Sequence, residues 1–118
     1  MSNDQRSGCP INLTLEVVGD RWSLLIIRDM IFGNRRHFRE LLLNSEEGIA
    51  SNILADRLKK MEAAGLIGAE PYQERPLRHK YVLTEKGRDL GEVLASLAKW
   101  GKKHVRGTIV APEFRRKR

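Results

Sequence analysis

The chain has 118 residues, of which 41% are hydrophobic and 31% are charged. This length corresponds to one domain, and the composition is that of an ordinary soluble protein. The longest aliphatic run covers residues 24–27, whereas a membrane helix needs roughly 20 apolar residues. No charged-then-apolar leader opens the chain, so we expect no secretion signal. The single cysteine, Cys9, excludes an internal disulfide and a cysteine-rich zinc site. A reducing, cytoplasmic setting is therefore expected.

The net charge of +7 is concentrated at the C-terminal end. Residues 101–118 contribute +6, which leaves only +1 for the rest of the chain. A basic tail is commonly solvated, so basicity alone does not establish a nucleic-acid-binding domain. We expect a disordered N-terminus over residues 1–8, a folded domain over residues 9–106 and a disordered basic tail over residues 107–118.

Hydrophobic periodicity predicts two helices near the start of the chain. The first begins around Pro10, because proline is tolerated in a first turn whose N–H groups have no partner, and it stops at Gly19. The second is expected over residues 21–32, with Asp20 as its N-cap and Gly33 as its stop. Its apolar side chains point almost all round the helix, which indicates a central core helix.

A short third helix is predicted over residues 37–43. It follows a loop that contains Arg35 and Arg36. The apolar side chains of this helix recur at helical spacing. A turn-rich segment at residues 44–48 separates it from the next helix.

The fourth helix, predicted over residues 51–64, has a narrow apolar stripe formed by Leu54, Leu58 and Met61. Successive residues of a helix are about 100° apart, so the opposite face is defined by the spacing. That face holds Asn52, Asp56, Lys59 and Ala63. Gly65 is expected to end the helix in a Schellman motif.

A β-hairpin and a last helix complete the predicted elements. Residues 67–73 and 79–83 are typical of two short strands around a turn at residues 74–78. Thr84 is the expected cap of a single long helix that runs to about His104. The predicted fold is therefore mainly α with a small hairpin, in the order α-α-α-α-β-β-α, which is the layout of a winged helix-turn-helix.

In this layout one helix faces outward and fits the roughly 12 Å major groove of DNA. Asn52 can pair bidentately with adenine, and Asp56 can accept a hydrogen bond from cytosine. Basic side chains of the hairpin and of the loop before the third helix suit phosphate or a narrow minor groove. The candidate DNA-binding residues are Arg35, Arg36, Ser51, Asn52, Asp56, Lys59, Arg75 and Arg78.

Several sequence motifs in register between residues 9 and 101 resemble those of one family. They are Cys9-Pro10-Ile11, Gly19-Asp20-Arg21-Trp22, Phe38-Arg39-Glu40-Leu41, Gly48-Ile49-Ala50-Ser51-Asn52-Ile53-Leu54, Gly65-Leu66-Ile67, Tyr81-Val82-Leu83-Thr84 and Trp100-Gly101. The chain resembles the HxlR-type winged-helix transcriptional regulators, which are close to the MarR regulators. The resemblance implies that residues 51–64 form the recognition helix, that residues 70–82 form the wing and that the first and last helices pair two subunits. Many members have Ser at position 50 and Lys at position 52, so their base preference does not transfer to this chain.

The last helix has an apolar stripe that a small three-helix core cannot fully cover, which predicts a homodimer. A two-fold dimer would place two recognition helices about one DNA turn, roughly 34 Å, or a multiple apart, and so require an inverted repeat. The alternative is that the stripe packs within its own subunit. The candidate interface residues are Leu13, Val17, Leu94, Leu97 and Trp100.

Cys9 is a candidate redox or electrophile sensor. It stands at the start of the first helix, where unpartnered N–H groups and the helix dipole favour the reactive thiolate. By resemblance, several HxlR-type regulators sense quinones, aldehydes or disulfide stress through a cysteine in this motif. The alternative is that Cys9 is a small buried hydrophobic residue.

The sequence contains no constellation typical of an enzyme. His37, His79 and His104 lie on different predicted elements without the close spacing of a zinc motif. The sequence also has no Gly-rich phosphate loop and no Gly-x-Ser-x-Gly elbow. We therefore expect no catalytic activity, metal or cofactor. The expected partners are double-stranded DNA, a second copy of the chain and an oxidant or small-molecule effector, with no membrane. A winged-helix protein-interaction module and a regulator controlled by a non-covalent ligand stay as alternatives.

Overall fold

The computed structural model describes residues 6–109 of the chain. Most of the two segments predicted to be disordered, residues 1–8 and 107–118, lies outside the described residues. The elements are, in chain order, α1 (Pro10–Val18), α2 (Ser23–Ile31), α3 (Phe38–Leu43), α4 (Ser51–Ala63), β1 (Ile67–Glu74), β2 (Leu77–Leu83), α5 (Glu85–Arg88) and α6 (Leu90–His104). The predicted fold class, mainly helical with one antiparallel hairpin, is confirmed.

The core is built by the helices of the first half of the chain together with the start of the hairpin. Its buried hydrophobic residues are Val18, Ile26, Ile27, Met30, Leu41, Ile49, Leu54, Leu58, Met61, Leu66 and Ile67. Helix α2 supplies three of them, as expected for the predicted central helix. Val18 is the one buried residue of α1, and none of the residues of α6 is fully buried.

The end of α4 has the geometry that its sequence predicts. Gly65 is left-handed, with a φ of 79°. The backbone N–H of Leu66 donates to the carbonyl of Met61 at 2.9 Å, and that of Gly65 donates to Glu62 at 3.0 Å. These two bonds define a Schellman motif. Since Leu66 and Met61 are both buried, the motif also directs the chain from α4 into β1.

Helix α2 is shorter than predicted at both ends. It begins at Ser23 and ends at Ile31, and the left-handed residue that follows is Asn34, with a φ of 54°, rather than Gly33. Asparagine tolerates this conformation because its short polar side chain bonds locally. Here the Oδ1 atom of Asn34 accepts a hydrogen bond from Nη2 of Arg36 at 2.9 Å.

The hairpin is longer and more tightly turned than predicted. Strand β1 extends to Glu74, and β2 already begins at Leu77. Arg78 therefore lies in a strand rather than in the turn. The register shifts between Pro71 and Gln73, which leaves Tyr72 as the extra residue of a bulge. The hairpin therefore reaches well beyond the core before it turns.

The predicted last helix is two helices that meet at Asp89. Thr84 caps the first of them as predicted, because its Oγ1 atom accepts from the N–H of Gly87 at 3.1 Å. The same hydroxyl donates to the carbonyl of Gly65 at 2.6 Å. Gly87 packs so closely that a Cβ atom there would lie 2.1 Å from the carbonyl oxygen of Leu66. This close packing orients α5 on the end of α4 before α6 begins.

Replacing Gly87 by alanine should destabilise the protein by about 1–3 kcal/mol, because backbone must move to admit the methyl group. The matched control is Gly91→Ala, at a helical glycine whose added Cβ would meet its nearest atom at 3.7 Å. That change should be neutral or stabilising by up to about 1 kcal/mol. Urea unfolding of both variants measures the difference. Equal stabilities would show that the α5 contact is unimportant.

Candidate nucleic-acid interface

Helix α4 exposes the face that its spacing predicts. The stripe of Leu54, Leu58 and Met61 is buried against the core. The four side chains of α4 that are predicted to face DNA are all exposed to solvent: Ser51, Asn52, Asp56 and Lys59. The N-terminal half of α4 is therefore an accessible polar surface.

The carboxylate of Asp56 is already in contact with two cations. It pairs with Nη1 of Arg57 and lies 3.4 Å from Nζ of Lys60. Within residues 6–109, Lys59 forms no ion pair. Around Ser51, Asn52 and Lys59 the exposed face of α4 is therefore neutral or basic, and the charge of Asp56 is largely compensated.

Arg35 and Arg36, predicted to act together, point to different places. The Arg35 side chain is only 13% exposed, and its Nη1 atom lies 3.8 Å from the carboxylate of Asp29. The same nitrogen donates to the carbonyl of Asn44 at 2.9 Å. Arg35 is thus directed into the junction of α2, α3 and the following turn. The side chain of Arg36, in contrast, is exposed to solvent.

The segment between α3 and α4 is attached to α2 by a cluster of charged groups. Arg28 contacts both carboxylate oxygens of Glu47, at 2.8 and 2.9 Å, and also bonds to Asp29. Burial raises the pKa of Asp29, although the nearby charges of Arg28 and Arg35 act in the opposite direction. The hydrogen bond from Arg28 lowers the pKa of Glu47. This cluster holds the turn of the helix-turn-helix against the central helix.

Asp20 joins the start of α2 to α4. Its carboxylate accepts hydrogen bonds from the N–H groups of Trp22 and Ser23, at 2.9 and 3.0 Å, and so caps the turn that leads into α2. The N-cap residue of the helix itself is Trp22 rather than the predicted Asp20, because α2 begins only at Ser23. It also accepts from the Ser23 hydroxyl at 2.5 Å and from Nε of Arg57 at 3.0 Å. Burial acts to raise the pKa of Asp20, but these hydrogen bonds outweigh it and the pKa is lowered. The Arg57 contact was missed because it joins residues 37 positions apart.

The hairpin holds two of the candidate arginines and is bonded to the segment that holds a third. Arg75 and Arg78 are both exposed, one in the turn and one in β2. The N–H of Tyr81 donates to the carbonyl of Arg36 at 2.7 Å, and His37 forms a β-bridge with Lys80. The structure therefore places the backbone of Arg36 next to β2, the strand that contains Arg78.

Helices α1 and α6 both expose apolar side chains. Three of the five predicted interface residues, Val17, Leu97 and Trp100, are 46%, 53% and 63% exposed. Leu94 packs against the core of its own subunit, and Leu13 is half-buried. Two further apolar residues of α1 that the sequence prediction did not include are also exposed, Ile11 at 71% and Leu15 at 59%.

Cys9 is an exposed thiol at the N-cap of α1. The backbone N–H groups of Asn12 and Ile11 lower the pKa of Cys9 below the ordinary value for cysteine. This environment agrees with the predicted stabilisation of a thiolate. The alternative, that Cys9 is a buried hydrophobic residue, is wrong.

The described residues contain no group of three or more His, Cys, Asp or Glu side chains that could hold a metal ion. Between residues 6 and 109, every helix is too short or too polar to cross a membrane.

A helical core that leaves the polar face of one helix exposed, with a β-hairpin beside that helix, defines a winged helix-turn-helix protein. The chain belongs to the HxlR-like helix-turn-helix family, whose model matches residues 17–108. Relatives that match most of this chain are named HTH-type transcriptional regulators.

One relative is an uncharacterized HTH-type transcriptional regulator of Mycobacterium tuberculosis, 42% identical over 98 residues that cover 83% of this chain. The match spans only 60% of that relative's length. The structure is similar to the reduced form of the redox regulator HypR, with a TM-score of 0.73, 29% identity and coverage of 82% of this chain and 94% of that one. It is also similar to reduced YodB of Bacillus subtilis, with a TM-score of 0.67, 27% identity and coverage of 87% and 100%.

Replacing Asp20 by alanine should destabilise the protein by about 1–2 kcal/mol at neutral pH, because the cap of α2 is lost. Asp20→Asn keeps an acceptor and removes only the charge. Since folding lowers the pKa of Asp20, the stability that its charge contributes is present above the unfolded pKa of about 3.9. It is lost as the pH falls through the lower folded value.

The stability curves of the wild type and Asp20→Asn should therefore converge on acidification, as measured by urea unfolding between pH 7 and pH 2. Asp89→Asn is the matched control, at an exposed aspartate whose side chain makes no capping bond. A difference that stays constant over this range would exclude a role for the Asp20 charge.

Proposed function

We propose that the protein is a sequence-specific DNA-binding regulator that binds an inverted-repeat operator as a homodimer in the cytoplasm. Helix α4 would enter the major groove, and the hairpin would contact the backbone or the minor groove. The observation that carries this proposal is the exposed polar face of α4, opposite a fully buried apolar stripe. A protein-interaction module would instead be expected to expose an apolar helix face.

The exposed residues divide into two roles. Ser51 and Asn52, in the first turn of α4, are small enough to approach base edges and have the donors and acceptors to read them. Lys59 and the exposed arginines of the hairpin and the α3 loop would neutralise phosphates. We leave Arg35 out of this set because its side chain is directed into the fold. Asp56 can accept from cytosine only if it gives up part of its pairing with Arg57 and Lys60.

Asn52→Ala should relax sequence preference at one operator position, since a lost bidentate contact costs about 1–3 kcal/mol. Arg78→Ala should instead weaken binding to every sequence and reduce the salt slope by about one unit. Fluorescence anisotropy with operator and scrambled duplexes at several salt concentrations separates these effects. Arg21→Ala, at an exposed arginine of the α1–α2 turn, is the control. Unchanged affinity and salt slope for Arg78→Ala would contradict the proposed role of the wing.

The homodimer is supported by the apolar faces of α1 and α6. Helix α1 buries a single side chain in its own subunit, although Ile11, Leu15 and Val17 are large and exposed. Leu97 and Trp100 are exposed apolar residues of α6. Large exposed apolar patches mark protein interfaces, and we propose that these side chains of α1 and α6 form such a patch. A second copy of the chain is the occupant that would also present two recognition helices to one operator.

Leu97→Asp should shift the protein toward monomer and weaken binding to the inverted repeat, because a charge at a buried seam has no partner. Leu43→Asp is the matched control, since Leu43 is 66% exposed on α3 and does not belong to the proposed interface residues. Sedimentation velocity at micromolar concentration measures the shift, and circular dichroism checks folding. A wild-type monomer, or equal behaviour of the two variants, would exclude this interface.

We further propose that Cys9 makes the regulator sensitive to oxidants or electrophiles. The exposed thiol with a lowered pKa supports this role, as does the similarity to the redox regulator HypR. With one cysteine per chain, oxidation would join two subunits or form a mixed disulfide, and an electrophile would alkylate the thiolate. Because α1 belongs to the proposed dimer surface, such a change would alter the spacing of the two recognition helices.

The rate of Cys9 alkylation should rise with pH along a curve whose midpoint lies below the ordinary thiol pKa of about 8.5. Treatment with diamide should then change operator affinity, and Cys9→Ser should abolish that response. Mass spectrometry establishes that Cys9 has reacted. An ordinary midpoint together with unchanged binding by fully modified protein would leave Cys9 without a sensing role.

A further inference from the structure

Arg57 lies between two carboxylates that belong to different parts of the fold. Its Nε atom donates to Oδ2 of Asp20 at 3.0 Å, and its Nη1 atom donates to Oδ2 of Asp56. Asp20 belongs to the turn between α1 and α2, whereas Asp56 lies on the exposed face of α4. One guanidinium group therefore joins that turn to the face proposed to recognise DNA.

The contact with Asp20 holds Arg57 in place. The carboxylate of Asp20 is itself fixed, because it accepts hydrogen bonds from two backbone N–H groups and from the Ser23 hydroxyl. The side chain of Arg57 is only 25% exposed. Because the guanidinium group is planar and rigid, fixing its Nε atom also sets the direction of its other donors. Nη1 is therefore directed at Asp56 in the absence of DNA.

Lys60 also contacts Asp56, but it is held less firmly. Its Nζ atom lies 3.4 Å from Oδ2 of Asp56, and its side chain is 69% exposed. An exposed ion pair of this kind contributes little, because a flexible side chain loses conformational entropy when it pairs. Arg57 has already lost much of that freedom through its bond to Asp20. Arg57 is thus the main group that restrains the Asp56 carboxylate.

Asp56 occupies a position where an unpaired acid would disturb DNA binding. It follows Asn52 by four residues, so the two side chains are neighbours on one face of α4, about one helical turn apart. A mobile carboxylate at this position would repel phosphates, and it would also accept a hydrogen bond from the amino group of cytosine. Both effects depend on how firmly Arg57 holds the carboxylate.

We infer that Arg57 is a positioning residue for DNA recognition, which keeps Asp56 from repelling phosphate and from selecting cytosine. This role rests on the proposed function, because it requires that the exposed face of α4 enters the major groove. Arg57 would act only through the carboxylate that it holds, and not through a contact of its own with DNA. Base selection by the wild type would then depend on Ser51 and Asn52 rather than on Asp56.

The test compares operator binding by the full-length wild type, Arg57→Gln and the double variant Arg57→Gln/Asp56→Asn, measured by fluorescence anisotropy. Arg57→Gln should weaken binding about tenfold, and the added Asp56→Asn change should restore most of the affinity. With duplexes that vary each operator base in turn, Arg57→Gln should gain a preference of at least about fivefold for cytosine at one position. The double variant should lose that preference. Lys60→Gln should change the affinity less than about threefold.

The charge-matched control is Arg57→Gln/Glu62→Gln, which has the same net charge as the first double variant. Glu62 is exposed on α4, and within residues 6–109 it forms no ion pair. This control should bind as weakly as Arg57→Gln alone. Equal rescue by both double variants would show that only net charge matters, and would overturn the inference. A failure of Asp56→Asn to rescue binding would also overturn it, because Arg57 would then contact phosphate itself or support the fold alone.

Asp20→Asn tests the other end of the contact, since it keeps an acceptor for the backbone but removes the charge that holds Arg57. It should weaken operator binding in the same direction as Arg57→Gln, and Asp56→Asn should again restore it. Thermal unfolding establishes that each variant is folded during the measurement. In the protein without DNA, the NMR signal of the Arg57 Nε–H group should shift in Asp20→Asn, and an unchanged signal would exclude the contact.

The two proposals can fail separately. A wild type that binds no duplex specifically would refute the proposed function, and the role of Arg57 in recognition with it. A wild type that binds the operator, together with an Arg57→Gln variant of unchanged affinity and base preference, would refute the role of Arg57 alone.

Discussion

Helix α4 buries only three side chains along a narrow stripe, and the arrangement of the other elements follows from that burial. Leu54, Leu58 and Met61 are almost completely enclosed, which leaves the opposite face of the helix to solvent. The Schellman motif at Gly65 then turns the chain directly into the hairpin. Because the stripe is narrow, a wide arc of the helix surface is available for recognition. A broader apolar face would have hidden the residues that we propose to read DNA.

Some arginines contact groups within the fold and others are exposed on the surface. The residue type alone does not tell which arginines belong to which set. Arg28, Arg35 and Arg57 contact acids or carbonyls within the fold. Arg75 and Arg78 stand on the surface of the hairpin. The internal group attaches the turn before α4 and the body of α4 to the central helix, which fixes the position of the face proposed to recognise DNA. Specific reading of bases needs this rigidity, because hydrogen bonds to base edges tolerate little displacement.

Two surfaces around this frame have separate proposed tasks. The exposed face of α4 and the hairpin would contact the operator, and the apolar sides of α1 and α6 would contact a second subunit. These tasks are linked, because the contact between subunits would set the distance between two copies of α4 and therefore the spacing of the half-sites.

The sequence by itself determined the order of the elements, the buried stripe of α4 and the caps at Asp20, Gly65 and Thr84. These features depend on local spacing and on backbone conformations that single residues favour, so they can be read without a tertiary structure. The tertiary structure decided which arginines face outward, because Arg35 and Arg57 meet partners that lie far away in the sequence or in another element. It also decided the division of the last helix at Asp89 and the contact between the start of α3 and the hairpin. Both arise from close contacts between elements, such as Gly87 against Leu66 and His37 against Tyr72, and no local pattern encodes those contacts.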